Sequence, residues 1–263
     1  MSLWLLNHFG TFTLAVLTVG GTVVLAVVGS VLLRRRYPQL AHGEHNDMVG
    51  VTLGMFGAIY GIILAFVIVT LWTQLDTTNT IVATEATDVS LISRDAAAFP
   101  PAAGARVDAA LSAYVHAVVE DQWPRMRVGQ PSYGATADRL QGAFDALQAY
   151  EPATAREQVF YQEAADRLND VAAQRRARLT MAEQELPPLL QILVFGGAFV
   201  LIPFTALYGM RRLRIQLVFV SSVAALIGFS LLLVLVLDRP FSGDLDVRPT
   251  AYQQGALARY WAP

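Results

Sequence analysis

Cysteine and lysine are both absent from this chain of 263 residues, and charged residues are scarce. Without cysteine the chain can form no disulfide and no thiolate metal site. Only 15% of its residues are charged, against about 25% in soluble domains. The formal net charge is only -2, so nothing in the composition indicates nucleic-acid binding. Together with a mean hydropathy of +0.44, the shortage of charge predicts a protein that lies largely in lipid.

Four long apolar runs account for this hydropathy. A helix needs about 20 residues to cross the hydrocarbon core, and none of these runs contains Asp, Glu, Lys, Arg or His. The predicted spans cover residues 11–33, 49–75, 189–210 and 215–237. The first run has no positive charge before it and no small-residue cleavage site after it, so we interpret it as a retained anchor rather than a signal peptide.

The sequence therefore predicts an all-α integral membrane protein with four transmembrane helices and a helical insert between the second and third. Residues 1–75 form one hairpin of spans and residues 188–237 form another. The insert, residues 76–187, shows no strand-like alternation. No proline interrupts the second span before Pro100, so its helix is expected to continue to about Phe99. Further helices are expected near 105–122, closed by Trp123 and Pro124, and near 135–150, and a last long helix is expected to start near Pro152. Residues 238–263 form a tail.

Arginines on two short loops predict the orientation. One cluster is Arg34 to Arg36 and the other is Arg211, Arg212 and Arg214, and both fall on the same side of the membrane. Short loops rich in positive charge stay in the cytoplasm. The termini and the insert are then predicted to be extracytoplasmic. The insert carries 10 arginines against 16 acidic residues, which agrees with that placement.

The second span carries small residues on one face. Their spacing of three and four places them on one side of a helix and lets another helix approach closely; they are Gly50, Gly54, Gly57, Gly61 and Ala65. Such a face either packs within the chain, which is the interpretation we favour, or lines a pore between subunits. The lack of ionisable groups in the spans argues against proton-coupled or sodium-coupled transport. An apolar pore that gates by wetting remains consistent with the sequence.

Glu85 and Asp88 extend from the second span at helical spacing. They would form an acidic ring at a pore mouth or pair with arginine on the helix that leads to the third span. Arg175, Arg176 and Arg178 lie at comparable height there, and we favour the ion pair.

Aspartates in the tail offer hard oxygen ligands of the kind that calcium prefers; they are Asp238, Asp244 and Asp246. The alternative, which we favour, is a tail that docks on the insert. A weaker metal candidate is the loop cluster of His42, Glu44, His45 and Asp47. No other cofactor is expected. Since no nucleophile, phosphate-loop or zinc-protease motif occurs, the chain is predicted not to be an enzyme.

Three stretches of sequence carry a family resemblance. The first runs from Gly57 through Tyr60, Gly61, Leu64, Ala65 and Phe66 to Trp72, with Glu85 and Ala86 further along. The second joins Tyr114, Val118, Val119 and Asp121 to Trp123 and Pro124. The third is the run from Asp238 to Gly243. From about residue 50 to 252 the chain resembles the bestrophin-like family of bacterial membrane proteins, and more distantly the bestrophins.

Bestrophins are pentameric anion channels with four spans, a long helical region after the second span and a calcium-binding acidic cluster after the fourth. The resemblance implies the same architecture here, and five copies. It also implies a cytoplasmic insert, opposite to the arginine-based orientation, which we retain. The resulting hypothesis is an oligomeric ion channel in the plasma membrane, in contact with lipid and ions, with Leu64 or Phe66 near a constriction. The alternative is a non-conducting scaffold or sensor that binds a partner through the insert.

Overall fold

The computed structural model describes residues 2–39, 43 and 45–262, and all regular elements in these residues are helices. Four helical stretches are long and apolar enough to cross a membrane, which confirms the predicted fold class. The chain divides into two compact units. The membrane unit contains the residues up to Thr73, then Glu185–Arg239 and Gly243–Leu245. The central unit contains Gln74–Gln184, Pro240–Ser242 and the residues from Asp246 onward.

The first span is a continuous helical stretch after a short helix α1 (Ser2–His8). It comprises α2 (Thr11–Ala15), a π-helical turn (Val16–Gly20) and α3 (Gly21–Arg36). It ends because Pro38 disfavours helical backbone at Tyr37, whose φ is -132° and ψ 73°. The stretch packs against α10 (Leu213–Leu237) so closely that a Cβ on Gly228 would lie 3.0 Å from the Val19 Cα.

Helix α4 (Asn46–Ala96) is the second span and its continuation. Its 51 residues correspond to about 76 Å at 1.5 Å per residue. The prediction of one uninterrupted helix is confirmed, and the helix stops just before Pro100 and Pro101, where a proline ring would displace the backbone.

The third span is shorter than predicted. Helix α9 (Pro188–Ala206) ends before residue 210, and α10 begins two residues before 215. Side chains from other parts of the chain form hydrogen bonds with the backbone groups that another helical turn would use. The Asn46 side chain accepts a hydrogen bond from the Gly209 N–H at 2.9 Å and donates one to the Gly209 carbonyl at 2.8 Å. Arg34 donates to the Met210 carbonyl at 2.8 Å, and Gln216 donates to the Ala206 carbonyl at 3.2 Å.

The central unit consists of shorter helices beside the far end of α4. They are α5 (Pro101–His116), a π-helical turn (Ala117–Gln122), α6 (Trp123–Arg127), α7 (Gly134–Gln148) and α8 (Ala155–Glu183). The prediction that Trp123 and Pro124 close a helix is wrong. The wider π turn leaves space for the ring of Pro124, which lacks the N–H that a regular helix requires. Helix α8 begins later than Pro152, at a cap in which the Thr154 hydroxyl accepts from the Glu157 N–H at 3.1 Å.

The core of the central unit includes residues from the tail. Phe241, Val247, Tyr252 and Leu257 are each no more than 2% exposed and pack among the buried side chains of α4, α5 and α8. From Pro240 onward the tail is therefore part of this unit rather than a separate segment, except for residues 243–245.

Candidate functional site

The membrane part of α4 buries one face against the other spans. Tyr60, Leu64, Val67 and Leu71 repeat at helical spacing and are each no more than 6% exposed. The Tyr60 hydroxyl donates to the Val194 carbonyl on α9 at 2.7 Å. Its ring lies directly over Gly197, where any Cβ would collide with it. This contact fixes the rotation of α4 about its own axis.

The glycine face of α4 is open. A Cβ on Gly54, Gly57 or Gly61 would meet no atom within 4 Å, apart from the helix itself. A Cβ on Gly50 would lie 3.4 Å from the ring of Tyr208, in the loop between α9 and α10. Three of the glycines thus have no partner within the described chain. Two of them, Gly57 and Gly61, line an apolar groove of about 430 Å³ between α4, α9 and α10, together with residues such as Ala65, Leu201 and Ile227.

Leu64 and Phe66, the two predicted constriction residues, lie on different sides of α4. Leu64 is 6% exposed, whereas Phe66 is 72% exposed. Two residues correspond to about 200° of helix rotation, so the two side chains point almost oppositely. They cannot both face one pore axis. Whether either lines a pore stays a prediction.

Glu85, further along α4, is fully buried in the central unit beside an equally buried Arg178 from α8. The guanidinium donates to both carboxylate oxygens, from Nε at 2.8 Å and from Nη2 at 3.1 Å. The Tyr114 hydroxyl on α5 donates to the same carboxylate at 2.6 Å. Arg178 also lies 5.7 Å from the ring centre of Trp123, within cation–π range. The carboxylate is therefore satisfied inside the chain rather than presented to solvent.

Two tyrosines that face this pair are held in the protonated form. Burial first, and then the negative charge of Glu85, raise the pKa of Tyr114 well above its usual value. The same two causes raise the pKa of Tyr252, from the tail. The charge pair thus joins residues of α4, α5, α8 and the tail at one point in the core.

Asp88, one turn beyond Glu85, is 8% exposed and lies 3.9 Å from a nitrogen of Arg167. The nearby Asp95 is 3.6 Å from the same guanidinium. Both candidate carboxylates of α4 therefore lie beside an arginine of α8. Of the three arginines considered in the sequence, Arg178 pairs with Glu85, whereas Arg175 donates to Thr136 at 2.7 Å.

The tail aspartates each have a protein partner. Asp238 accepts from the Leu186 N–H at 2.8 Å, and Asp244 accepts from the Thr11 N–H at 2.6 Å. Asp246 lies 3.6 Å from Arg127. Among the described residues, no three acidic or histidine side chains converge as metal ligands would. Of the loop cluster, His42 and Glu44 lie outside the described residues, while His45 and Asp47 are exposed.

Sequence reasoning missed the tyrosines and Trp123 around the charge pair. Tyr114 falls on the apolar face of α5, where helical spacing marks it as a core residue but not as a donor to Glu85. Tyr252 has no periodic signal, because it lies in a 3-10 turn, Pro249–Tyr252.

These features define the class of the protein: a four-span helical membrane protein with a helical unit completed by the C-terminal tail. The bestrophin-like domain family matches residues 20–252. The chain therefore belongs to the bestrophin-like family, and the resemblance stated from the sequence is confirmed.

Solved structures give the same fold. A bacterial bestrophin homologue from Klebsiella pneumoniae, solved as a point mutant, is 14% identical with a TM-score of 0.69. The match covers 93% of this chain and 99% of the homologue. A different point mutant of a Klebsiella pneumoniae homologue is 17% identical with a TM-score of 0.66, covering 92% and 96%. A membrane protein that was also solved as a mutant is 14% identical, with a TM-score of 0.62 and coverage of 92% and 95%. No curated protein matches the sequence.

Proposed function

We propose that the chain forms a homo-oligomeric ion channel in the plasma membrane, with the membrane part of α4 lining the pore. The observation that carries the proposal is the open glycine face of α4, formed by Gly54, Gly57 and Gly61. Bare backbone of this kind is suited to close contact with a second helix, and no described residue of the same chain provides one. Membership of the bestrophin-like family supports a channel, and the resemblance to bestrophins implies five copies and anion selectivity.

Helix geometry supports separate roles for two faces of α4. Gly61 and Phe66 are five residues apart, which places them about 140° from each other around the helix. In a ring of subunits, one helix can therefore turn its glycine face to a neighbour and its Phe66 face to the axis. Leu64 is buried within the chain, so it supports the helix and does not narrow the pore.

Cysteine chemistry tests this arrangement, because the natural chain contains no cysteine. The oligomeric mass is measured first, and single-channel currents are then recorded in planar bilayers. Phe66→Cys is expected to give a channel that a charged, water-soluble thiol reagent blocks. Phe199→Cys on α9 is the matched control, since Phe199 is a span phenylalanine that is 80% exposed. Its currents are expected to be insensitive to the reagent.

Two results would overturn the proposal. A symmetric oligomer that passes no current at any voltage, pH or calcium concentration would favour the non-conducting scaffold or sensor. A channel blocked through Phe199→Cys but not through Phe66→Cys would remove α4 from the pore lining. Membership of the bestrophin-like family also supports a protein that is not an enzyme.

For orientation we propose that the central unit and termini are extracytoplasmic, as the arginine clusters indicate. Gln130→Cys lies in an exposed loop of the central unit and Arg212→Cys in the loop between α9 and α10. A membrane-impermeant maleimide applied to intact cells is expected to label the first and not the second. The opposite labelling would establish the orientation of bestrophins.

A further inference from the structure

The two arginine clusters, about 175 residues apart in sequence, lie together at one end of the membrane unit. Arg34, in the last turn of α3, joins them. Its guanidinium donates to the carbonyls of Met210 and Arg211 at 2.8 and 2.9 Å, and to the Gln216 side chain at 2.7 Å. Arg34 is thus used in holding the loop between α9 and α10 against the end of α3.

The other arginines of the two clusters remain exposed. They are Arg35, Arg36, Arg211, Arg212 and Arg214, here called the arginine surface. None of them forms an ion pair with a described residue. The exposed acidic residue described at this end is Asp47 in the first turn of α4, next to Asn46, which bonds Gly209. Apart from Arg34, these five positive charges therefore face one described negative charge at this end, and no described carboxylate pairs with them.

The position of the arginine surface suits the phosphates of lipid. It lies at the end of α3 and the start of α10, two helices that are long and apolar enough to cross a membrane. Guanidinium groups bind phosphate oxygens through paired hydrogen bonds, and clusters of four to eight basic residues beside a membrane helix attract anionic lipid.

We propose that the arginine surface binds the headgroups of anionic phospholipids such as phosphatidylglycerol. The positive-inside rule accounts for which side these arginines occupy. It does not account for their convergence, through Arg34, into one surface whose guanidinium groups form no ion pair with a described residue. The proposal is independent of ion conduction.

The test measures thermal unfolding of the purified full-length protein in detergent, titrated with short-chain phosphatidylglycerol or with phosphatidylcholine of the same chain length. Inorganic phosphate is titrated separately. Phosphatidylglycerol is expected to raise the melting temperature, whereas the other two are not. The test variant replaces the three loop arginines: Arg211→Gln, Arg212→Gln and Arg214→Gln. For this variant, half of the maximal rise in melting temperature is expected to require at least roughly tenfold more phosphatidylglycerol than for the natural protein.

A matched control removes three exposed arginines of the central unit: Arg106→Gln, Arg125→Gln and Arg139→Gln. It is expected to respond like the natural protein. Should the loop variant fail to fold, Arg35→Gln with Arg36→Gln tests the same surface from α3. Equal stabilisation by both lipids, or an unchanged response of the variants, would overturn the proposal. Stabilisation by phosphate alone would also overturn it, in favour of a small-anion site.

Discussion

Replacing Arg178 by Met is the sharpest test of the central unit. The change keeps much of the side-chain volume but leaves Glu85 buried and fully enclosed without its counter-charge. Removing one partner of a buried ion pair costs about 3–5 kcal/mol. The whole stability of a domain is about 5–15 kcal/mol, so the loss is a large share. For a unit of this size it corresponds to a fall of roughly 10–20 °C in Tm.

The assay is denaturant unfolding of the full chain in detergent, followed by tryptophan fluorescence, because Trp123 lies buried beside Arg178. Arg176→Met is the matched control. Arg176 is exposed on the same helix, and its loss is expected to change stability by less than about 0.5 kcal/mol. In the double variant Glu85→Leu with Arg178→Met, most of the lost stability should be recovered, since no unpaired charge stays buried.

Equal stability of Arg178→Met and Arg176→Met would refute this reasoning. It would mean that Glu85 takes up a proton or reaches water when its partner is lost, and that the pair does not hold the unit together. Failure of the double variant to recover would instead place the cost in packing around Trp123 rather than in the unpaired charge.

The remaining predictions concern pH, packing and calcium. Because the pKa values of Tyr114 and Tyr252 are raised, the unfolded chain loses these two protons above pH 10 while the folded chain keeps them. The free energy of unfolding should therefore fall by about 2.7 kcal/mol per pH unit above pH 10. Replacing both tyrosines by Phe should make the free energy of unfolding less dependent on pH in this range. Gly228→Ala should destabilise the membrane unit by about 1–3 kcal/mol, as judged by Tm, because its Cβ would collide with the first span. Gly142→Ala, in open space on α7, should stabilise by about 0.5–1 kcal/mol. Calcium should leave Tm unchanged, since the tail aspartates have protein partners; a shift abolished by Asp244→Asn would contradict this.

The predictable parts of this structure depend on local signals. The length of α4 follows from the absence of proline before Pro100, and the span count follows from apolar runs that are long enough to cross lipid. The sequence limits the partner of Glu85 to three arginines, because opposite charges on two antiparallel helices pair only at similar height. Choosing Arg178 among them required knowing which side of α8 is buried.

Other parts depend on contacts that no local pattern encodes. Tyr252 approaches a carboxylate 167 residues earlier in the chain, and α9 ends early because Asn46 and Arg34 bond the loop that follows it. The glycine spacing on α4 predicts a face for close packing but does not distinguish a partner within the chain from one outside it. Only the three-dimensional structure shows that this face is open.

The tail residues in the core have a consequence for biosynthesis. Phe241, Val247, Tyr252 and Leu257 are translated only after both C-terminal spans. Until then Arg178 and Glu85 lack the tail side chains that help to exclude water from them. The central unit therefore stays incomplete, with apolar surface exposed, while the two C-terminal spans are synthesised. A ribosome that stops after the fourth span would release a protein with all of its membrane helices and an unfinished core.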